Sequence, residues 1–139
     1  MRSFYFAIMA ALAWGVAPIV EKIGLTNIAP MAGVVIRSCG VIIGCFILVI
    51  FNNNLLRLAV RSDMKTIIFL LLGGVIASII GQIFFYSALK EGEASKLVPI
   101  AGTYPLVSFL LGLIFLGESF TMLKLVGMVF VILGVFLLR

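Results

Sequence analysis

Charged and polar side chains are scarce in this chain, so the few that fall inside its long apolar runs mark where chemistry could occur. Arg37 is the clearest. It lies about two turns inside an apolar run, where an arginine costs roughly 2.5–3.5 kcal/mol on insertion scales. Glycines at positions 33, 40 and 44 share its stripe, which places it on a packed or cavity-lining face rather than toward lipid. Two readings fit: a side chain snorkelling to the near interface, or a water-lined functional position available for an anionic group. Three further stripes carry polar groups. Trp14, Pro18 and Glu21 share one side of a first helix, with Lys22 adjoining. Ser78, Gln82 and Tyr86 run along one side of a third helix toward Lys90, and Tyr104, Ser108 and Gly112 along a fourth that also holds Pro99 and Pro105. Aromatic, amide and hydroxyl groups converging on one cavity suit an amphipathic small molecule. Each stripe taken alone is equally compatible with hydrogen bonds between helices. The cavity candidates are therefore Trp14, Arg37, Gln82, Tyr86, Tyr104 and Ser108, with Glu21 the one acid on these stripes.

Other chemistry finds no support. The chain has no histidine, and its two cysteines, Cys39 and Cys45, lie six apart inside one apolar run without companions at ligand spacing. They read as small buried hydrophobes. No nucleophile–base pair or metal constellation is present, so no enzyme, no metal and no cofactor is expected.

Those residues must be carried by membrane-spanning elements. Of 139 residues, 64% are hydrophobic and 11% charged, and the mean hydropathy is +1.35. A small soluble fold leaves much of its area facing water and could not hide so much apolar surface. The net charge of +5 reads as loop charge facing lipid head groups, with no nucleic-acid partner expected. A spanning helix needs about 20 mainly apolar residues. Five stretches qualify, at 4–20, 31–51, 67–89, 97–116 and 120–138. They are continuous rather than alternating, which selects helices over a barrel. The expectation is a single all-α transmembrane domain over residues 1–139. Met1-Arg2-Ser3 and Ala11-Leu12-Ala13 imitate a signal peptide with its cleavage site, but the apolar run continues past that site to Val20, so the first helix is kept.

An odd number of spans puts the termini on opposite sides. One side carries Arg2, Arg57, Arg61, Lys65 and Lys124, and the other Lys22, Lys90, Lys96 and Arg139, with Arg37 nearest to it. Near parity leaves two possibilities, an N-in protein directed by its second loop or insertion in both orientations. In that loop Arg57, Arg61 and Lys65 recur every fourth residue. The segment is either a short helix lying on anionic lipid or an extended linker. Glycine at Gly40, Gly44, Gly73, Gly81, Gly127 and Gly134 falls on helical stripes, the pattern by which helices approach closely in lipid.

Several of these residues resemble a known family in order and spacing. Trp14-Gly15 with Lys22 resembles the opening helix of EamA domains of the drug/metabolite transporter superfamily. Tyr86-Ser87-Ala88-Leu89-Lys90, Ala94-Ser95, Pro99-Ile100, Pro105-Leu106, Leu116-Gly117-Glu118, Gly127 and Leu133-Gly134-Val135 look like that family's third-to-fifth helix pattern. The resemblance covers essentially the whole chain. Most members carry two such five-helix units in opposite orientations, and this sequence has one, with no detectable internal repeat. The resemblance therefore implies half of a ten-helix inverted-repeat transporter, completed by an antiparallel homodimer, or by a heterodimer with a second EamA unit. Antiparallel pairing agrees with the near parity of loop charge, and inverted repeats in general place the substrate site near the midplane. Glu118 is implied to stabilise the last hairpin. Small multidrug exporters of the superfamily use a first-helix glutamate to exchange substrate for protons. Here Glu21 lies at the end of its span beside Lys22, which argues against a proton carrier.

The function expected is movement of a small metabolite or drug-like solute across the cell membrane (inner or plasma) by alternating access, by a multi-pass protein surrounded by membrane lipids. A lipid-linked sugar flippase subunit and a non-transporting membrane partner or regulatory protein are the alternatives.

Overall fold

A computed structural model describes residues 2–138, and every regular element among them is helical. The elements are α1 (Arg2–Gly24), α2 (Pro30–Phe51), α3 (Asn54–Val60), α4 (Met64–Val75), a π-helical segment (Ile76–Ile80), α5 (Gly81–Glu91), α6 (Ala94–Ala101), α7 (Tyr104–Phe115) and α8 (Met122–Leu137). Four helical stretches are long and apolar enough to cross a membrane: Arg2–Gly24, Pro30–Phe51, Met64–Glu91 and Ala94–Phe115. The fifth expected span, 120–138, is a shorter apolar helix of 16 residues. At 1.5 Å per residue it is about 24 Å long. Its start is fixed by Thr121, whose hydroxyl oxygen accepts from the Lys124 amide at 3.3 Å and leaves Phe120 outside.

The other boundaries move for equally local reasons. The first helix runs past Val20 to Gly24, so Glu21 and Lys22 are helical residues rather than a terminating pair. The third stretch begins at Met64, ahead of Ile67, because Asp63 caps it. Its carboxylate accepts from the Thr66 amide at 2.9 Å and from the Thr66 hydroxyl at 2.6 Å. Pro30 opens α2, where a missing N–H is harmless. Asn52, Asn53 and Asn54 end it, with the Asn52 side chain accepting from the Asn54 amide at 3.2 Å. The segment that followed as helix or linker is a helix, α3, but a short one. Arg57 lies inside it, Arg61 caps it and Lys65 belongs to α4, so the three basic residues do not share one helix. Pro105 cannot donate to Ala101 and its ring crowds that carbonyl. The fourth span accordingly breaks between α6 and α7 at Gly102-Thr103.

The described chain divides into two compact units, Val20–Glu91 and the pair of segments Met1–Ile19 and Gly92–Arg139. In the second of these, the α7–α8 turn is held by Gly117 at φ +63°, a conformation glycine adopts without strain. The Gly112 carbonyl accepts from the Leu116 and Glu118 amides at 3.1 and 3.2 Å. The Glu118 carboxylate lies over Gly112 and 3.8 Å from the Lys124 ammonium, so Glu118 serves this turn.

The Val20–Glu91 unit holds the buried hydrophobic core among the described residues: Leu25, Val34, Tyr86 and Leu89. Gly33 makes that core possible. A methyl group there would come within 2.6 Å of Leu25 Cδ2 and 3.2 Å of the Tyr86 ring. Gly81 is also confined: a Cβ there would lie 3.3 Å from the Ile76 carbonyl oxygen of the π-helical turn. By contrast Gly40, Gly44, Gly73, Gly127 and Gly134 face no described atom within 4 Å. Gly33 is thus a position where a small residue lets Leu25 and Tyr86 close in on α2. Most large apolar side chains are exposed, from Phe4 to Leu138. In lipid such exposure carries no penalty, because acyl chains are as apolar as leucine.

Candidate functional site

The tightly packed end of the Val20–Glu91 unit brings four polar residues together. Glu21 comes from the last turn of α1, Arg37 from two turns into α2, and Gln82 and Tyr86 from successive turns of α5. The Arg37 Nε donates to Glu21 Oε1 at 3.2 Å. Gln82 Nε2 donates to both Glu21 oxygens at 3.4 Å. The Tyr86 phenol interacts with the same carboxylate and with the Gln82 amide. Gln82 is aimed by the π-helical segment directly ahead of it, where the Gly81 amide bonds to the Ile76 carbonyl five residues back and widens the turn. Such single wide turns recur at functional sites.

Burial gives the ion pair its weight. The side chains of Arg37 and Glu21 are 32% and 16% exposed. A pair at that depth gives up much of its hydration, and losing one partner strands the other charge. Arg37 engages Glu21 through Nε, and its Nη1 is buried without an acceptor among the described residues. Two lysines fasten the same end. Lys22 Nζ donates to the Leu89 carbonyl at 2.7 Å and Lys90 Nζ to the Ile28 carbonyl at 2.5 Å. Lysine at a helix C-terminus suits both the free carbonyls and the helix dipole.

A cleft of about 360 Å³ opens beside the pair, lined by Glu21, Arg37, Tyr86, Leu25, Ile28, Ile36, Gly24, Asn27 and Gly33. That volume falls in the range of small-molecule sites, about 300–1,000 Å³. Of the six cavity candidates, Arg37, Gln82 and Tyr86 meet in this cluster. Trp14, Tyr104 and Ser108 belong to the other unit and are exposed there. Glu21 is paired with Arg37, a partner the sequence reading did not give it; the Lys22 ammonium instead bonds the Leu89 carbonyl. Leu25, Asn27 and Ile28 were missed because they fall in the connection after the first span, outside any helical stripe. The Glu21–Arg37 pairing did carry a signal, since charges within spans pair with one another. Cys39 and Cys45 are exposed, and no group of three or more metal-ligating side chains gathers among the described residues.

The model of the EamA-like transporter family matches residues 1–139. The chain belongs to that family. It is accordingly a multi-pass membrane protein of the drug/metabolite transporter type, from a family of transporters rather than enzymes. An uncharacterised protein of Methanocaldococcus jannaschii is 28% identical over 131 residues, which cover 94% of this chain and 91% of that protein. That protein is therefore close to this chain in length. No solved structure matches the chain.

Proposed function

We propose that this EamA protein is a transporter subunit that moves a small metabolite or drug-like solute across the cell membrane by alternating access, working as an antiparallel dimer. The observation that carries the reading is the Glu21–Arg37–Gln82–Tyr86 cluster beside a cleft of about 360 Å³. Polar groups placed inside a membrane are costly and concentrate on solute pathways. The similar length of the archaeal relative and the near parity of basic residues between the two sides support assembly from two copies in opposite orientations. The apolar surface and open glycine stripes leave ample area for a second copy.

Purified protein in liposomes should give saturable, solute-dependent flux from a metabolite panel. Paired reporters fused after Arg139, one active in the cytoplasm and one outside, should both give strong signals. Absence of flux across the panel would remove the transport reading. Signal from a single reporter would replace the antiparallel homodimer by a heterodimer with an oppositely inserted EamA unit.

A further inference from the structure

The cluster is unevenly satisfied. Both Glu21 oxygens accept from Gln82, and Oε1 also accepts from Arg37. Arg37 holds Glu21 by Nε alone, while its Nη1 is buried with no acceptor among the described residues. A buried charged donor in that condition is unfavourable, so an acceptor is what the cluster lacks. Arg37 and Glu21 cancel in charge within the lining. Leu25, Ile28, Ile36 and the Tyr86 ring give the cleft apolar walls, and Asn27 adds one uncharged polar side chain.

Resting on the transport reading, we propose that the cleft binds an amphipathic oxyanion, with its carboxylate or phosphate taken by Arg37 Nη1 and its apolar part against those walls. Access requires the guanidinium to turn toward the cleft, and its single-point bond to Glu21 leaves that rotation open. Glu21 then acts as the internal competitor of the bound anion. The oxyanion belongs either to a dissolved solute or to a lipid head group, since the cleft lies at the end of α1 where the span meets the interface.

Binding of phenylacetate to the protein in phosphatidylcholine nanodiscs tests this, with phenylacetamide as the neutral isostere. Phenylacetate should bind saturably and phenylacetamide about tenfold more weakly. Arg37→Gln should weaken phenylacetate by a similar factor. Glu21→Gln should strengthen it several-fold, a change of opposite sign that loss of folding cannot produce. Equal binding of the two probes, or weakening by both substitutions, would overturn the proposal. Phosphatidylglycerol added to the nanodiscs separates the sources: competition with phenylacetate assigns the site to a head-group phosphate, and no competition to a dissolved anion. Arg37-dependent binding without flux in liposomes would keep the anion site and remove transport. Flux of a neutral solute untouched by Arg37→Gln, with no phenylacetate binding, would do the reverse.

Discussion

Arg37 Nε and Glu21 Oε1 lie 3.2 Å apart, joining the second turn of α2 to the last turn of α1 through an ion pair largely withdrawn from solvent. Gln82 adds α5 to the same carboxylate. Three helices thus converge on one acidic group, and the behaviour of that group sets what the site can do.

Removing one partner should cost more than removing both. Arg37→Gln leaves the Glu21 charge without its cation, an expected loss of about 1–3 kcal/mol after discounting for the exposed third of the arginine. The double variant Glu21→Gln with Arg37→Gln should recover part of that loss. Thermal unfolding of the four proteins in one detergent measures the coupling, and strict additivity would mean the pair contributes nothing.

Gly33 should resist a β-branched side chain. A Cβ there lies 2.6 Å from Leu25 Cδ2 and 3.2 Å from the Tyr86 ring, so the buried leucine tip and the ring must both give way. Gly33→Val is expected to destabilise by about 1–3 kcal/mol, as overpacking does. Loss of solute binding should accompany it, because Tyr86 and Leu25 both line the cleft.

Gly40 and Gly44 should respond differently. Neither meets a described atom within 4 Å, so Gly40→Leu with Gly44→Leu should leave helix content unchanged. If this open stripe packs against a second copy, the double substitution should convert dimers to monomers. Analytical ultracentrifugation in detergent reads the outcome, and an unaltered dimer would move the interface to another face.

Asp63 gives a pH dependence outside the spans. Hydrogen bonds from the Thr66 hydroxyl and amide hold its carboxyl below the ordinary value of 3.8. A depressed folded pKa means the contribution is present above the unfolded value and lost as pH falls through the folded one. Protection of the first α4 amides against hydrogen exchange should therefore persist at pH 5 and disappear only below about 3.8. In Asp63→Ala it should be absent at both pH values.

Sequence reasoning located four spans and a fifth apolar helix, and placed their ends poorly. Apolar runs are set by the bilayer and are visible as composition. Ends are set by single side chains such as Asp63, Thr121 and Pro105, whose effect depends on local geometry. The cluster was half legible. Arg37, Gln82 and Tyr86 stood out because polar residues within apolar runs are conspicuous. Pairing of Arg37 with Glu21 was obscured by placing the end of the first helix at Val20, which set Glu21 beside Lys22 at a boundary instead of inside a helix. The π-helical segment was illegible, since Ile76-Ala77-Ser78-Ile79-Ile80 has no composition that separates it from ordinary α-helix.

The short α8 ties the transport proposal to the thickness of the lipid. If α8 crosses the bilayer with the four longer stretches, about 24 Å of apolar helix meets a hydrocarbon slab near 30 Å, and the bilayer beside it would pinch or its flanking residues stretch toward the head groups. Either response would store elastic energy that grows with acyl-chain length. Solute flux in liposomes would then fall as the acyl chains lengthen, an effect of lipid tails that never touch the solute.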